Sequence, residues 1–274
     1  MKILLIISVS LVIFIILSAC GNKKSATKNI KEEATLFTID EIGTKVNTKY
    51  PLFEKLKTDK DFSQKNEKYK TELLELGNLN ITSGELVLCD IREHKDPPNK
   101  FYPDSNPFVI QLKHGAYNIN VIIANTIDHG DRTAFVELNI TNHKATQWIL
   151  AHKTSHNLYN LERGSLYGTN TEAATLTLFD RKSGIIFYEK RSDYLKENTE
   201  KSEFDFFEYI FKYSEYDLKN YTKSSCINVD LGEKNNLIQF CTGYGDGSYP
   251  AYWGIDKDNY ICALVIDFGV LDNI

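Results

Sequence analysis

The chain has 274 residues, with 32 Lys and Arg against 37 Asp and Glu, for a formal charge of −5. An acidic balance of this kind gives no electrostatic reason to bind nucleic acid, which is excluded as a partner. Sixteen Tyr and fifteen Phe are ample for a sizeable core and also suit a binding surface.

Met1-Lys2 is followed by an apolar run, Ile3 to Leu17, that closes on Leu17-Ser18-Ala19-Cys20. A positive start, an apolar stretch and small residues before a cysteine make a secretory signal ending in a lipobox, and the segment resembles bacterial lipoprotein precursors. In that class the cut falls before Cys20, which carries the lipid, palmitate among its acyl chains. An uncleaved transmembrane anchor is the alternative, but the run is at the short end for a span and Gly21 after Leu-Ser-Ala-Cys fits lipidation. Each buried methylene of such a chain contributes about 0.8 kcal/mol, so several chains hold firmly to a lipid bilayer. Residues 1–19 therefore read as signal peptide, and their removal takes away only Lys2, leaving a charge of −6 from −5. Residues 20–34 read as a flexible tether, polar and rich in lysine, with no apolar periodicity. No later apolar stretch is long enough to span a membrane, so the rest is expected on the extracytoplasmic face of the cell membrane.

Residues 35–78 read as an N-terminal extension. Phe37 to Lys57 carries apolar residues at loosely helical spacing interrupted by Pro51, which predicts two short helices or turns, and Tyr69 to Leu79 predicts a strand. A mainly β domain then spans 79–274. Ser83-Gly84 is a turn, Glu85 to Cys89 a strand ending at Asp90, and His94 to Asp104 a proline-rich surface loop. Strands are predicted over Phe108–Leu112, Tyr117–Thr126, Arg132–Thr141 and Gln147–Ala151, each bounded by turn formers, at the spacing of an antiparallel sandwich or barrel. His152 to Arg163 is a polar loop, and Leu166 to Asn170 a tight turn. Ala173 to Tyr188 has two apolar runs about Asp180-Arg181-Lys182-Ser183-Gly184. Arg191 to Glu203 is charged and expected exposed. Phe204 to Lys219 is expected helical, with Phe204, Phe207, Phe211 and Leu218 near one face.

The densest signal lies in Gly243 to Phe268. Tyr260 to Phe268 is apolar on both alternating faces, the pattern of a strand covered on both sides. Turn formers at Asp256 to Asn259 make Ala251 to Ile255 its antiparallel partner. Leu237 to Thr242 is expected to complete a three-stranded meander through Gly245-Asp246-Gly247-Ser248. Pro250 cannot donate to a ladder, so the middle arm should begin after it or lie partly at an edge. If the turns centre near Asp246 and Asp258, Cys241 lies opposite Tyr252 and Cys262 opposite Trp253, on opposite faces. With Cys20 lipidated, Cys89, Cys226, Cys241 and Cys262 remain. Two disulfides with three connectivities are permitted outside the cell, but buried free thiols are the expectation.

Few residues suggest chemistry. Asp256-x-Asp258 with Asp267 has the outline of a calcium loop, yet Ile261 stands where that loop needs glycine and Asp267 where it needs glutamate, so a hairpin turn is expected. His152-x-x-x-His156 lacks the glutamate of a zinc protease motif and reads as a solvated pair. No metal site is assigned. No phosphate loop, nucleophile elbow or dinucleotide fingerprint is present, and no cofactor is expected. Cys89 beside Asp90 is a poor nucleophile, because a neighbouring negative charge raises a thiol pKa. Asp90 and Asp246 would make a paired-carboxylate acid/base site if the fold joined them. Asp246, Tyr249, Tyr252 and Trp253 suggest instead an aromatic contact surface, with Asp90, Tyr167 and Asp256 as further candidates for a ligand surface.

Several segments, taken together, resemble the domain of unknown function 4241 family. They are Gly245-Asp246-Gly247-Ser248-Tyr249-Pro250-Ala251-Tyr252-Trp253-Gly254-Ile255-Asp256 with the Cys262-to-Phe268 strand, Ser83-Gly84 through Cys89-Asp90, Gly115-Ala116-Tyr117, Trp148 and Tyr167-Gly168. The match runs from about Leu79 to Phe268. Ile91 stands in place of a usual proline, and Asn170 and Glu172 replace an aspartate and a glycine, so a carboxylate at 170 is missing here. The resemblance implies a shared fold and ligand surface, with no assigned catalytic residue. The expected fold is mainly β (α+β), an antiparallel sandwich or incomplete barrel decorated with a few helices. The expected function is that of a membrane-anchored extracytoplasmic lipoprotein that binds, without catalysis, a protein partner at the envelope, in one version protecting its own cell. The alternative is a hydrolase using Asp90 and Asp246.

Overall fold

A computed structural model of the protein describes residues 61–64, 67–93, 105–126, 129–157, 166–212 and 221–271. The signal peptide, Cys20, the tether, the helices expected over Phe37 to Lys57 and the loop from His94 to Asp104 lie outside the described residues. In chain order the elements are β1 (Asp61–Gln64), β2 (Glu67–Ile81), β3 (Leu86–Cys89), β4 (Gly115–Thr126), β5 (Gly130–Asn139), β6 (Gln147–Leu150), β7 (Gly168–Thr171), β8 (Thr175–Asp180), α1 (Arg181–Glu197), α2 (Glu203–Phe211), α3 (Tyr221–Ser224), β9 (Ile227–Gly232), β10 (Asn235–Cys241), β11 (Gly247–Ile255) and β12 (Ile261–Asp267).

The fold is mainly β, built on two antiparallel sheets with no closed barrel among the described residues. The eight-stranded sheet runs β1-β2-β4-β5-β12-β11-β6, with β7 pairing the first half of β11. The four-stranded sheet runs β3-β8-β10-β9. A strand buried on both faces has no polar alternation, and the smaller sheet shows why. One face of its strands, Leu86, Leu88, Leu176, Leu178, Ile238 and Phe240, packs into the main core with the larger sheet. The other face, Val87, Cys89, Phe179, Leu237 and Val229, packs under Phe187, Phe206, Phe207 and Phe211 of α1 and α2. The layers are thus sheet, sheet and helices, each alternate residue of β3, β8 and β10 serving a different core.

Asp180 fixes the start of α1 and much else. Its side chain accepts the Lys182 N–H, the N-cap bond that satisfies an orphan donor of the first turn. The same carboxylate holds the β2–β3 turn through Ser83 and Gly84. Gly184 lies against Phe179, where an added Cβ would come within 2.4 Å of the ring, so only glycine lets α1 settle on β8. Ser202 and Asp205 cap α2 reciprocally, and Lys212 ends it in the left-handed conformation at φ 52°.

Several expectations hold. β12 is buried along its length and pairs antiparallel with β11 on one side and β5 on the other. The β11–β12 ladder begins at Ala251↔Ile266, immediately after Pro250. β2, β4, β5 and β6 lie close to their predicted ranges. β2 crosses the expected boundary at 78/79 without interruption, and its Lys70–Ile81 stretch pairs with β4.

Other expectations need correction. The three-stranded meander does not form, because β10 pairs with β8 and β9 in the smaller sheet and the chain changes sheets at Thr242 to Asp246. Gly243 permits that crossing, since a Cβ there would lie 2.8 Å from the Phe268 carbonyl oxygen. The predicted register fails with it: Cys241 pairs with Thr175, while a bulge sets Trp253 opposite Leu264 and leaves Cys262 out of the pairing. Phe108 to Leu112 is no strand. It makes one bridge, Phe108↔Lys153, and otherwise lends N–H groups to the carbonyls of Leu86, His152 and Gly84. Residues 168–170, expected in a turn, belong to strand β7 against β11. The second apolar run of Ala173 to Tyr188 is the buried face of α1, because the Asp180 cap diverts the chain into helix. Arg191, expected exposed, is buried on that helix and bonds Glu203. In α2 the buried face is Phe206, Phe207 and Phe211, while Phe204 points to solvent.

Candidate functional site

The β7–β8 turn, Thr171 to Ala174, where the chain passes from the larger sheet to the smaller, gathers the carboxylates that the sequence keeps far apart. Asp90 follows β3, whose Cys89 pairs with Thr177 of β8, and this register brings its side chain under the turn. Asp90 is only 2% exposed. Its Oδ2 accepts the Thr171 hydroxyl at 2.7 Å, the Ala173 N–H at 3.0 Å and the Glu172 N–H at 3.2 Å. Its Oδ1 accepts the Arg92 N–H at 3.1 Å. Asp246 reaches the same turn from the β10–β11 crossing, its Oδ1 accepting the Ala174 N–H at 2.9 Å. The two aspartates that were candidates for paired acid/base work therefore do meet on one four-residue turn. Asp90, however, is engaged by the donors of that turn, while Asp246 gives it one oxygen and stays exposed.

Two carboxylates escaped the sequence reading. Glu93, in the turn after Asp90, and Glu172, in the β7–β8 turn itself, are neighbours at the exposed rim. Burial pushes the Glu93 carboxyl up, and Asp90, Glu172, the hydrogen bond to Glu172 and Asp246 push it in the same direction. Like charges held this close favour the protonated form of Glu93. Glu172 stands where the resemblance leads one to expect glycine, and that substitution was the signal available in the sequence. Nearby, Tyr188 of α1 is a neutral phenol: burial raises its pKa far above the usual range, with Cys89 and Asp90 adding to the rise against the pull of Arg191.

The remaining candidates are dispersed. Tyr249 is half-buried, donates its hydroxyl to the Gly245 carbonyl at 2.7 Å and sets its ring edge-on to Phe268. Burial raises its pKa, and Asp246 adds to this against a hydrogen bond from Thr242. Tyr252 and Trp253 are 2% and 1% exposed, so they belong to the core and present no contact surface. Trp253 meets Phe108 edge-to-face at 5.7 Å. Tyr167 stacks on His156 at 4.1 Å and donates to the Asn157 carbonyl. His152 and His156 do not lie on a helix, and His156 Nδ1 instead accepts the Lys153 N–H. Asp256 is buried in the β11–β12 turn, where it takes the Asp258 and Tyr260 N–H groups at 2.9 Å each and His143 Nδ1 at 2.6 Å. Burial pushes its carboxyl up, but the Tyr260 N–H, His143 and the Asp258 N–H together hold it below the usual carboxylate value. Among the described residues no group of three or more His, Cys, Asp or Glu is arranged to hold a metal ion.

An aromatic group that does reach solvent beside this turn is Tyr244, 55% exposed, in the sheet-crossing turn that also carries Asp246, with His129 edge-on at 5.4 Å. The open rim thus consists of Glu93, Glu172 and Asp246, with Tyr244 on the same crossing turn as Asp246. It is negative, and it lies over a buried layer of saturated hydrogen bonds.

No curated protein and no solved structure matches the chain. A family described as protein of unknown function (DUF4241) does match, over residues 79–266, which is well over half the sequence, and the chain belongs to that family.

Proposed function

We propose that the protein is a bacterial lipoprotein, held on the extracytoplasmic face of the cell membrane by lipid on Cys20, whose β domain binds a partner at the envelope without catalysis. The Leu17-Ser18-Ala19-Cys20 lipobox and the polar tether after it support the anchor. For the domain, one observation carries most weight. The buried carboxylate of Asp90 accepts the Thr171 hydroxyl and three N–H groups, so it is a turn-holding group engaged by its own chain. A general base must reach the proton it takes, and Asp90 is buried beneath the β7–β8 turn whose donors it holds. The exposed rim of Glu93, Glu172 and Asp246 offers the opposite: solvated negative charge on a rigid turn, suited to a protein partner that presents basic groups.

A hydrolase remains the second reading, favoured by the raised Glu93 carboxyl beside Glu172, since neighbouring carboxyls whose pKa values are pushed apart can divide acid and base roles. The test is a pull-down with the purified chain against envelope extract, run beside a hydrolase screen on the same preparation. Recovery of a partner and no turnover is expected. Turnover lost in Glu93→Gln, with no partner recovered, would reverse the order.

A further inference from the structure

The remaining thiols are not equivalent. Cys89 and Cys262 are buried in separate places, one on β3 under the helices, the other in the β11–β12 bulge with its Sγ 3.4 Å from the Gly254 carbonyl. Cys226 and Cys241 converge. Both sulfurs lie within hydrogen-bonding distance of one acceptor, the Thr222 carbonyl oxygen, at 3.3 Å and 3.5 Å. The β9–β10 ladder ends with Gln239↔Ile227, so the two cysteines stand at the open mouth of that hairpin, beyond its last pair. Thr133 of β5 adds a third contact, its hydroxyl 3.4 Å from Cys241 Sγ. Two thiols fixed on a common acceptor at the mouth of a hairpin are arranged to be joined.

We infer that Cys226 and Cys241 are an oxidisable pair that closes to a disulfide, clamping the mouth of the β9–β10 hairpin beside α3. The oxidant is a small-molecule disulfide of the glutathione type. Cys226 is the partly exposed member and Cys241 the buried one, so the mixed disulfide forms on Cys226. Its thiolate sulfur attacks one sulfur of the oxidant, and the other sulfur leaves as a thiolate. Cys241 Sγ then attacks Cys226 Sγ, forming the protein disulfide and releasing the second small thiol. Two protein thiols are oxidised, one small disulfide is reduced to two thiols, and the protons pass to the released thiolates. In the reduced pair the hydrogen bond between the two thiols pushes Cys226 up, with burial adding to it, and brings Cys241 down despite burial. Cys241 is the resolving nucleophile because it is the thiol held on the same acceptor as Cys226.

The experiment treats the folded full chain with oxidised glutathione at pH 8, blocks free thiols with iodoacetamide, digests without reductant and maps the peptides by mass spectrometry. The expected result is a Cys226–Cys241 cross-linked peptide lacking two hydrogens, with Cys89 and Cys262 alkylated only after unfolding. In Cys241→Ser the glutathione should persist on Cys226, and in Cys226→Ser no cross-link should form. Closing a loop of this length should raise Tm by about 6–12 °C. A stable glutathione adduct on Cys226 of the unaltered chain, a cross-link through Cys89 or Cys262, or a lowered Tm after oxidation would each overturn the inference. The cross-link map on the unaltered chain decides the matter even where a serine variant fails to fold.

Discussion

Replacing Asp180 by Asn changes almost no volume and tests whether one carboxylate joins the smaller sheet to its helices. Asp180 is fully buried, at 0% exposure. Oδ2 accepts the Ser83 hydroxyl at 2.8 Å and the N–H groups of Ser83 and Gly84 at 2.9 and 3.2 Å. Oδ1 accepts the Lys182 N–H and the Thr82 hydroxyl, both at 3.0 Å. An amide has one acceptor oxygen. If it keeps the Ser83–Gly84 side, its NH2 faces the Lys182 N–H, donor against donor, and the cap is lost. Losing an N-cap costs about 1 kcal/mol. Turning charge-assisted bonds into neutral ones at a site closed to water costs about a further 1–2 kcal/mol. Asp180→Asn should therefore lower stability by about 2–3 kcal/mol, and Asp180→Ala, which orphans every donor, by about 4 kcal/mol. Urea unfolding of the Cys20→Ser protein, followed by the fluorescence of buried Trp148 and Trp253, measures both. A loss in the Asn variant below about 0.5 kcal/mol, which is ordinary for a surface change, would refute the linking role.

Further expectations follow from the same geometry. Gly184→Ala gains helix propensity worth about 1 kcal/mol, yet the new Cβ meets Phe179 at 2.4 Å, so a net loss of about 1–2 kcal/mol is expected in the same urea assay. The Asp256 carboxyl, held below its usual value in the folded state, contributes stability that is present above its unfolded pKa of about 3.9 and lost as pH falls through the folded pKa. Asp256→Asn should thus be about 1–3 kcal/mol less stable at neutral pH, with the gap to the unaltered protein closing below about pH 4 in acid-unfolding curves. Cys20→Ser should move the protein from the membrane fraction to the medium, as followed by fractionation and immunoblot, and unchanged membrane retention would contradict lipidation.

How far the sequence disclosed this fold depended on what decides each element. β12 was legible because a strand covered on both faces writes its burial into every residue, and its partner β11 followed from the turn formers between them. β10 is just as buried, with apolar residues on both faces, and for that reason its partner was not legible. Apolar residues on both faces show that a strand is covered but not which sheet covers it, and proximity in the chain suggested β11 where the structure pairs β8. The helix after β8 was missed because Asp180-Arg181-Lys182-Ser183-Gly184 carries turn residues that serve as a cap and as a close-packing glycine against Phe179. At the site, Asp90 and Asp246 were identified but given the wrong surroundings, since the aromatic residues that follow Asp246 face inward. Glu93 had no local pattern to mark it and Glu172 only its departure from an expected glycine, and the register of β3 on β8 is what brings their two turns together.

The outer carboxylates and the inner ones should separate cleanly in a single comparison. The chain carrying Glu93→Gln, Glu172→Gln and Asp246→Asn together keeps an acceptor for the Ala174 N–H and leaves Asp90 untouched, so its urea midpoint should stay near that of the unaltered protein. Used as bait in envelope extract, it should lose the partner that the unaltered chain recovers. Capture of the same partner in the same yield by the neutralised rim would contradict the account.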